Sequence, residues 1–326
     1  MIAVTGANGL LGSFIIRKLQ ETNTPFVALK RKGSDTSLLA DLKDITWREA
    51  DVLDPIALQE SLADVDGVIH TAAIVSFNPR EAKKVLQINI EGTQNVVNAC
   101  LEKGIKRLLH VSSVAALGRQ KDQSVINETN QWSENPLNST YGESKYKAEL
   151  EIFRGQEEGL STIIVNPSAI LSRGNWANSS AKLFKYVWDE QLFYTDGSFN
   201  YVDVRDVANL IFQLYHSPIE GERFILNAGA ATFKDFFGSA AKHLQKKGPR
   251  IKVSKPILHV IAVFESVRSI LFGAEPLITQ ETARLANAFF LYDNQKVIKA
   301  MGYQFLPLES TLAWCGEYYR KQQGKS

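Results

Sequence analysis

Cysteine is almost missing from this chain. Cys100 and Cys315 are the only two in 326 residues, and lying far apart in sequence they offer neither a disulfide framework nor paired thiolate spacing for a metal. Both read as small buried hydrophobes. A dominant charge is missing as well: 37 Lys and Arg stand against 35 Asp and Glu, for a formal net charge of +2. That balance gives no global field for gripping a nucleic-acid backbone, so nucleic acid is not an expected partner. The five histidines (His70, His110, His216, His243, His259) are scattered with no HExxH and no carboxylate cluster, so no metal site is expected. A Walker loop, a GxSxG elbow and a paired-carboxylate motif are missing too. Long uninterrupted apolar runs are scarce. The longest, PILHVIAVFESVRSILF at 256–272, carries His259, Glu265 and Arg268 and reads as a buried or interfacial helix rather than a membrane span. Met1 to Val4 already read as a strand, so no leader is expected and the protein is placed in the cytoplasm, with loose membrane contact through 256–272 the minor alternative.

What the chain does have is rhythm. Hydrophobic residues at 44% and charged residues at 22% are ordinary globular values. IAVT (2–5), FVAL (26–29), GVIHTAA (67–73), RLLHVSS (107–113) and TIIVNPS (162–168) are apolar almost throughout, the pattern of strands covered on both faces. Between them run LLGSFIIRKLQ, ALQESLAD, VLQINIEGTQNVVNACLEKG and YGESKYKAELEIFRGQEEG, each with apolar residues three and four apart. The succession is a series of βαβ units, and the expected fold is α/β, a doubly wound parallel sheet of Rossmann type. After Pro167 the rhythm breaks. Residues 1–170 are therefore read as a dinucleotide-binding domain and 171–326 as a smaller, mainly helical substrate-binding domain, parts of which return to the sheet.

TGANGLLG, Thr5 to Gly12, puts three glycines between a strand and an apolar-periodic helix. Gly6, Gly9 and Gly12 there permit a tight turn, close approach of backbone to a pyrophosphate and close helix-on-strand packing, and the helix start presents free N–H groups to the phosphates. The spacing is GxxGxxG, one residue longer at the first gap than GxGxxG. In this it resembles the TGxxGxxG loop of the extended short-chain dehydrogenase/reductases, the NAD-dependent epimerase/dehydratase superfamily. The resemblance implies a nicotinamide cofactor held by Gly6, Asn8, Gly9, Leu10, Leu11 and Gly12. FVALKRKGSD has Lys30, Arg31 and Lys32 where an NAD enzyme would carry an acid, which favours NADP over NAD. Arg31 is the chosen partner of the 2′-phosphate, with Lys30 beside it. By resemblance, Asp51 and Val52 flank the adenine, and Ala72 and Ala73 lie against the pyrophosphate and ribose. Asp51 also reads as a turn or cap residue.

YGESK, Tyr141 to Lys145, puts a phenol and an ammonium on one helix face. A phenol of pKa about 10 becomes a usable acid/base at neutral pH when a cation favours its ionised form. Lys145 is expected to supply that cation and to bind the nicotinamide ribose. Upstream, LLHVSS ends a strand in Ser112 and Ser113; the resemblance makes Ser113 the substrate-carbonyl partner and Ser112 the alternative. It also implies a catalytic Asn89 behind the site, and Pro167 and Ile170, after Asn166, beside the nicotinamide. The expected division of labour is a hydrogen bond from Ser113, proton transfer by Tyr141 and hydride from the cofactor.

Sugar-nucleotide members of the superfamily usually carry an Arg before the FVHVDD motif; GSFNYVDVRDVA has Phe199 there. The segment resembles the FVDVRDVA of dihydroflavonol 4-reductase and 3β-hydroxysteroid dehydrogenase-like members. Phe77, Trp176, Phe193, Tyr194, Phe199 and Tyr201 are candidates for an apolar pocket, against core packing as the plainer reading. The expected function is NADP(H)-dependent reduction of an apolar aldehyde or ketone, or oxidation of the matching alcohol. The alternatives are a nucleotide-sugar epimerase/dehydratase and a non-catalytic NADP-sensing protein. A small-molecule carbonyl or alcohol is the expected partner, and the resemblance adds a homodimer through helices around 83–103 and 141–157.

Overall fold

The computed structural model describes residues 1–119, 123–135, 138–176, 180–254, 256–258 and 289–323. Its strands in chain order are β1 (Ile2–Thr5), β2 (Phe26–Lys30), β3 (Trp47–Glu49), β4 (Gly67–His70), β5 (Arg107–Val111), β6 (Val125–Ile126), β7 (Ser161–Pro167), β8 (Ala169–Leu171), β9 (Phe193–Tyr194), β10 (Ser198–Asp203), β11 (Glu222–Leu226), β12 (Gly229–Thr232), β13 (Ile251–Lys252) and β14 (Leu291–Tyr292). Seven of them form one sheet in the order β11-β7-β5-β4-β1-β2-β3, every pair parallel. The order reverses between β1 and β4, the switch point beside which open α/β sheets bind ligands.

Side chains alternate across a strand, and here both faces are covered. Ile2 and Val4 join one core with Ile15, Ile16 and Leu19 of α1 (Leu10–Glu21), whereas Ala3, between them, joins a second core on the opposite face. That second face is covered by α2 (Pro55–Ser61), α4 (Gly92–Glu102) and α5 (Thr140–Glu157), which contribute Leu58, Val96, Val97 and Ile152. Helices begin where the sequence offers an acceptor: the side chains of Asp54 and Ser139 cap α2 and α5, and Pro55 opens α2 at a position where its missing N–H costs nothing. Between α3 (Ala82–Leu86) and α4 the backbone opens into a π-turn, Gln87–Glu91, where periodicity alone predicts one continuous helix.

From residue 171 onward the chain serves two bodies. Helix α6 (Ala181–Trp188), α8 (Phe233–Leu244) and the C-terminal α10 (Leu308–Gln323) bury Phe184, Phe236 and Tyr319 in a third core. Helix α7 (Val204–His216) instead packs Val207, Leu210, Ile211 and Leu214 into the first core, β11 is the sheet's outer strand, and Val297 of α9 (Gln295–Met301) joins the same core. A smaller sheet, β12-β10-β8, lies between these groups. Cys100 and Cys315 are both free and buried. Among the described residues no helix is long and apolar enough to cross a membrane; residues 259–272 of the apolar stretch lie outside the described residues.

Candidate active site

The glycine loop follows β1 directly, and its tightness is physical. Gly6 has φ +65, and a Cβ there would sit 2.8 Å from the backbone of Ala72. A Cβ on Gly12 would sit 2.2 Å from the Gly6 carbonyl oxygen. Gly9 is the N-cap of α1, so no N-cap side chain closes that helix, and no acidic residue occupies its first turn. Leu10 and Leu11 therefore begin a helix whose first N–H groups and positive dipole end are left for a ligand. Thr5 locks the turn to the end of β4: its hydroxyl meets His70 Nδ1 at 2.7 Å and accepts from Ala72 N at 3.3 Å, while Thr71 Oγ1 donates to the Thr5 carbonyl at 2.6 Å. Ala72 thus stands beside Gly6, with Ala73 next along the chain.

Asn8 donates to the Asp35 carbonyl at 3.0 Å, tying the loop to the segment after β2. A cleft of about 280 Å³ opens there, lined by Asn8, Gly9 and Leu10 on one side and by Arg173 and Gly174 on the other. The three basic residues ending β2 separate clearly. Lys30 pairs with Glu49 of β3 at 3.2 Å, whereas Arg31 and Lys32 are exposed. Asp51 accepts from Leu53 N at 3.0 Å and so makes a local turn, and buried Val52 packs against Gly92 of α4. A larger cleft of about 540 Å³ lies at the β11 edge among Glu128, Glu222 and Lys296, apart from these groups.

At the carboxyl end of β5 the structure brings Ser113 and Tyr141 together. Ser113 caps the short helical turn Val114–Leu117, accepting from Ala115 N at 3.2 Å, and its side chain stands beside the Tyr141 phenol. Ser112 points elsewhere, with its hydroxyl buried and unpartnered among the described residues. Burial pushes the Tyr141 phenol up to about 12, and the neighbouring Ser113 hydroxyl opposes that rise. Lys145, only 1% exposed, lies one turn further along α5 and donates to the Val111 carbonyl at 2.8 Å. Burial pulls its ammonium down to about 8, against the pull of Glu149. His70 and His110 lie behind it with rings 5.2 Å apart. Burial, reinforced by the Lys145 charge, takes His70 down to about 3 and His110 well below its ordinary value.

Asn89 sits in the π-turn and does not reach Lys145 directly. Its side chain accepts from Ile74 N at 2.8 Å and donates to the Ile74 carbonyl at 3.0 Å and to Ser144 Oγ at 2.9 Å, so it fixes the loop after β4 to α5. That loop carries Phe77, whose ring meets Tyr141 edge-on at 5.8 Å. Pro167 ends β7 and Ile170 lies in β8, both downstream of the buried Asn166. The other pocket candidates do not gather around Tyr141: Phe199 packs on Phe233 and Phe236, and Trp176 on Trp188 and Tyr319. Sequence reasoning missed Thr5, Glu149 and Arg223, whose roles rest on partners distant in the chain, and Arg173, whose guanidinium stacks 4.0 Å over Trp314.

A family model described as NAD dependent epimerase/dehydratase family matches residues 2–229. A putative dihydroflavonol 4-reductase from Synechocystis is 26% identical over 318 residues, 95% of this chain and 92% of that protein. Cinnamoyl-CoA reductase 1 of Petunia hybrida is 28% identical over 69% of this chain and 72% of its own. Among solved structures, gox2253 superposes with a TM-score of 0.85 at 29% identity, covering 99% of this chain and 98% of its own.

Proposed function

The chain belongs to the NAD-dependent epimerase/dehydratase family, and from that premise we propose an NADP(H)-dependent reductase of apolar aldehydes or ketones, running as an alcohol dehydrogenase in reverse. The observation that carries this reading is the grouping of Ser113, at the end of β5, beside the Tyr141 phenol of α5, with the Lys145 ammonium buried one turn away. The glycine cradle fits a dinucleotide, since any side chain at Gly6 or Gly12 would collide with backbone. Leu10 and Leu11 would hold the pyrophosphate through backbone N–H groups, and the exposed Arg31, unlike the paired Lys30, is free to meet a 2′-phosphate. When bound, the nicotinamide supplies or takes the hydride.

The chain's own groups do the rest. Ser113 orients the substrate oxygen with a hydrogen bond, and Tyr141 gives up its proton to that oxygen in reduction and retrieves it in oxidation. A phenol raised to about 12 is a reluctant acid, so the nearby Lys145 charge is the influence that must favour its ionised form during turnover. Phe77 gives the substrate end of Tyr141 an apolar neighbour, which suits an aryl or alkyl carbonyl better than a sugar. The two relatives named as reductases support the same direction.

A carbonyl panel and a set of nucleotide sugars, each followed by NADPH absorbance and by product analysis, test the proposal. Net NADPH loss with apolar carbonyls is the expected result. Isomerised nucleotide sugar without net cofactor change would establish the epimerase alternative, and cofactor binding without either reaction would leave a sensing protein.

A further inference from the structure

Behind the acid/base pair lies a buried carboxylate that the reaction scheme above does not use. Glu149 is completely buried and follows Lys145 by four residues on α5, hence on the same helix face. Both of its oxygens are engaged: Oε1 accepts from Asn166 Nδ2 at 2.6 Å and Oε2 from Arg223 Nη1 at 2.9 Å. The same Asn166 amide nitrogen donates to the Ser113 carbonyl at 2.9 Å. Arg223 comes from the outer strand β11, and its second nitrogen donates to the Glu128 and Asn130 carbonyls. One carboxylate thereby touches the backbone of the serine through one partner and the far edge of the sheet through another.

A carboxylate at this depth persists only when paired and hydrogen-bonded, and Arg223 with Asn166 meets that need. Three other titratable groups bear on Lys145. Tyr141 shares its helix, and His70 of β4 and His110 of β5 are held neutral by burial and by the Lys145 charge itself. Glu149 is the group whose charge favours the Lys145 ammonium.

We propose that Glu149 is a positioning residue of the acid/base site: it keeps Lys145 charged, fixes Ser113 through Asn166, and divides its own charge between Lys145 and Arg223. The inference rests on the assignment of Ser113, Tyr141 and Lys145 above. Its consequence is a pair of opposite effects. Removing the Glu149 charge lets desolvation win at Lys145, whereas removing the Arg223 charge leaves Glu149 with the Asn166 hydrogen bond and the Lys145 ammonium as its remaining cation, so that its charge acts on Lys145 undivided.

Carbon-13 NMR of the Lys145 side chain in the cofactor-free protein, assigned with Lys145→Arg and titrated from about pH 6 to about pH 11, reads this directly. Glu149→Gln lowers the Lys145 midpoint by about one pH unit, Arg223→Gln raises it, and Glu149→Asp restores it. The alkaline limb of turnover moves in the same directions. Midpoints that stay put in both variants, or move the same way in both, overturn the proposal and leave a purely structural network. Should Glu149→Gln fail to fold, Arg223→Gln decides alone, and an unchanged or lowered midpoint there is contrary. Failure of the acid/base assignment is a separate result, full turnover in Tyr141→Phe, and it leaves these midpoints untouched.

Discussion

Ser112 and Ser113 are adjacent in sequence yet face opposite circumstances, and the difference gives a sharp pair of expectations. Ser113 stands beside the Tyr141 phenol, so Ser113→Ala lowers turnover about 100-fold or more while a fluorescence titration with NADPH stays near wild type. Ser112 carries a buried hydroxyl with no partner among the described residues, and Ser112→Ala keeps turnover and raises or preserves the melting temperature. The reverse ranking would mean that the serines are misassigned. At the cofactor's other end, Arg31→Asp weakens NADPH relative to NADH, checked by paired Kd measurements; an unchanged ratio removes Arg31 from the site. That Tyr141 and Lys145 share a helix face and that Ser112 and Ser113 end a strand was readable because both are local properties; the choice of Ser113 over Ser112 came from the family resemblance. Glu149 was not readable in the same way, since a carboxylate four residues after a lysine ordinarily marks a solvated helix pair. Only the distant Arg223 and Asn166 reveal that it is buried.

Elements set the geometry that residues exploit. The uncapped start of α1 works only because Gly12 lies against the Gly6 carbonyl, where a Cβ would stand 2.2 Å away. Gly12→Ala therefore destabilises the protein by about 1–3 kcal/mol and abolishes cofactor binding, measured by melting and titration together. Strands β4 and β5 place His70 opposite His110, both buried and both with depressed pKa. For His70 the sign follows from the folded value near 3 against 6.5 for the free side chain. Below about 6.5 the unfolded chain takes up protons that the folded one refuses, so stability is full above that pH and is lost as pH falls toward 3. His110→Phe, which removes a ring whose two nitrogens have no partner among the described residues, flattens the slope of melting temperature between about pH 4 and pH 6.5; an unaltered slope would show that His110 does not contribute. The strands were legible because they are apolar on both faces. The π-turn at Gln87–Glu91 was not: it carries the Asn89 side chain to Ile74, a contact made across a loop that periodicity does not show.

At the scale of the whole molecule, the chain folds its second half over the first in two ways. Helix α7 and β11 complete the layers of the nucleotide-binding sheet, while α6, α8 and α10 build a separate aromatic core. The sequence announced a change of rhythm after Pro167 and a partial return to the sheet, but not which elements return, since that depends on which apolar faces find each other. It also explains why most of the aromatic residues suggested for a pocket fill the third core. Phe77 alone among them meets Tyr141, and an apolar carbonyl is the substrate class that this neighbour suits. The central claim is that Tyr141 moves the proton in an NADPH-driven carbonyl reduction. Steady-state NADPH consumption with the best apolar aldehyde or ketone, compared between wild type and Tyr141→Phe, tests it most directly. The account predicts a loss of about 100- to 10,000-fold in kcat with NADPH affinity retained; undiminished turnover in Tyr141→Phe would contradict it.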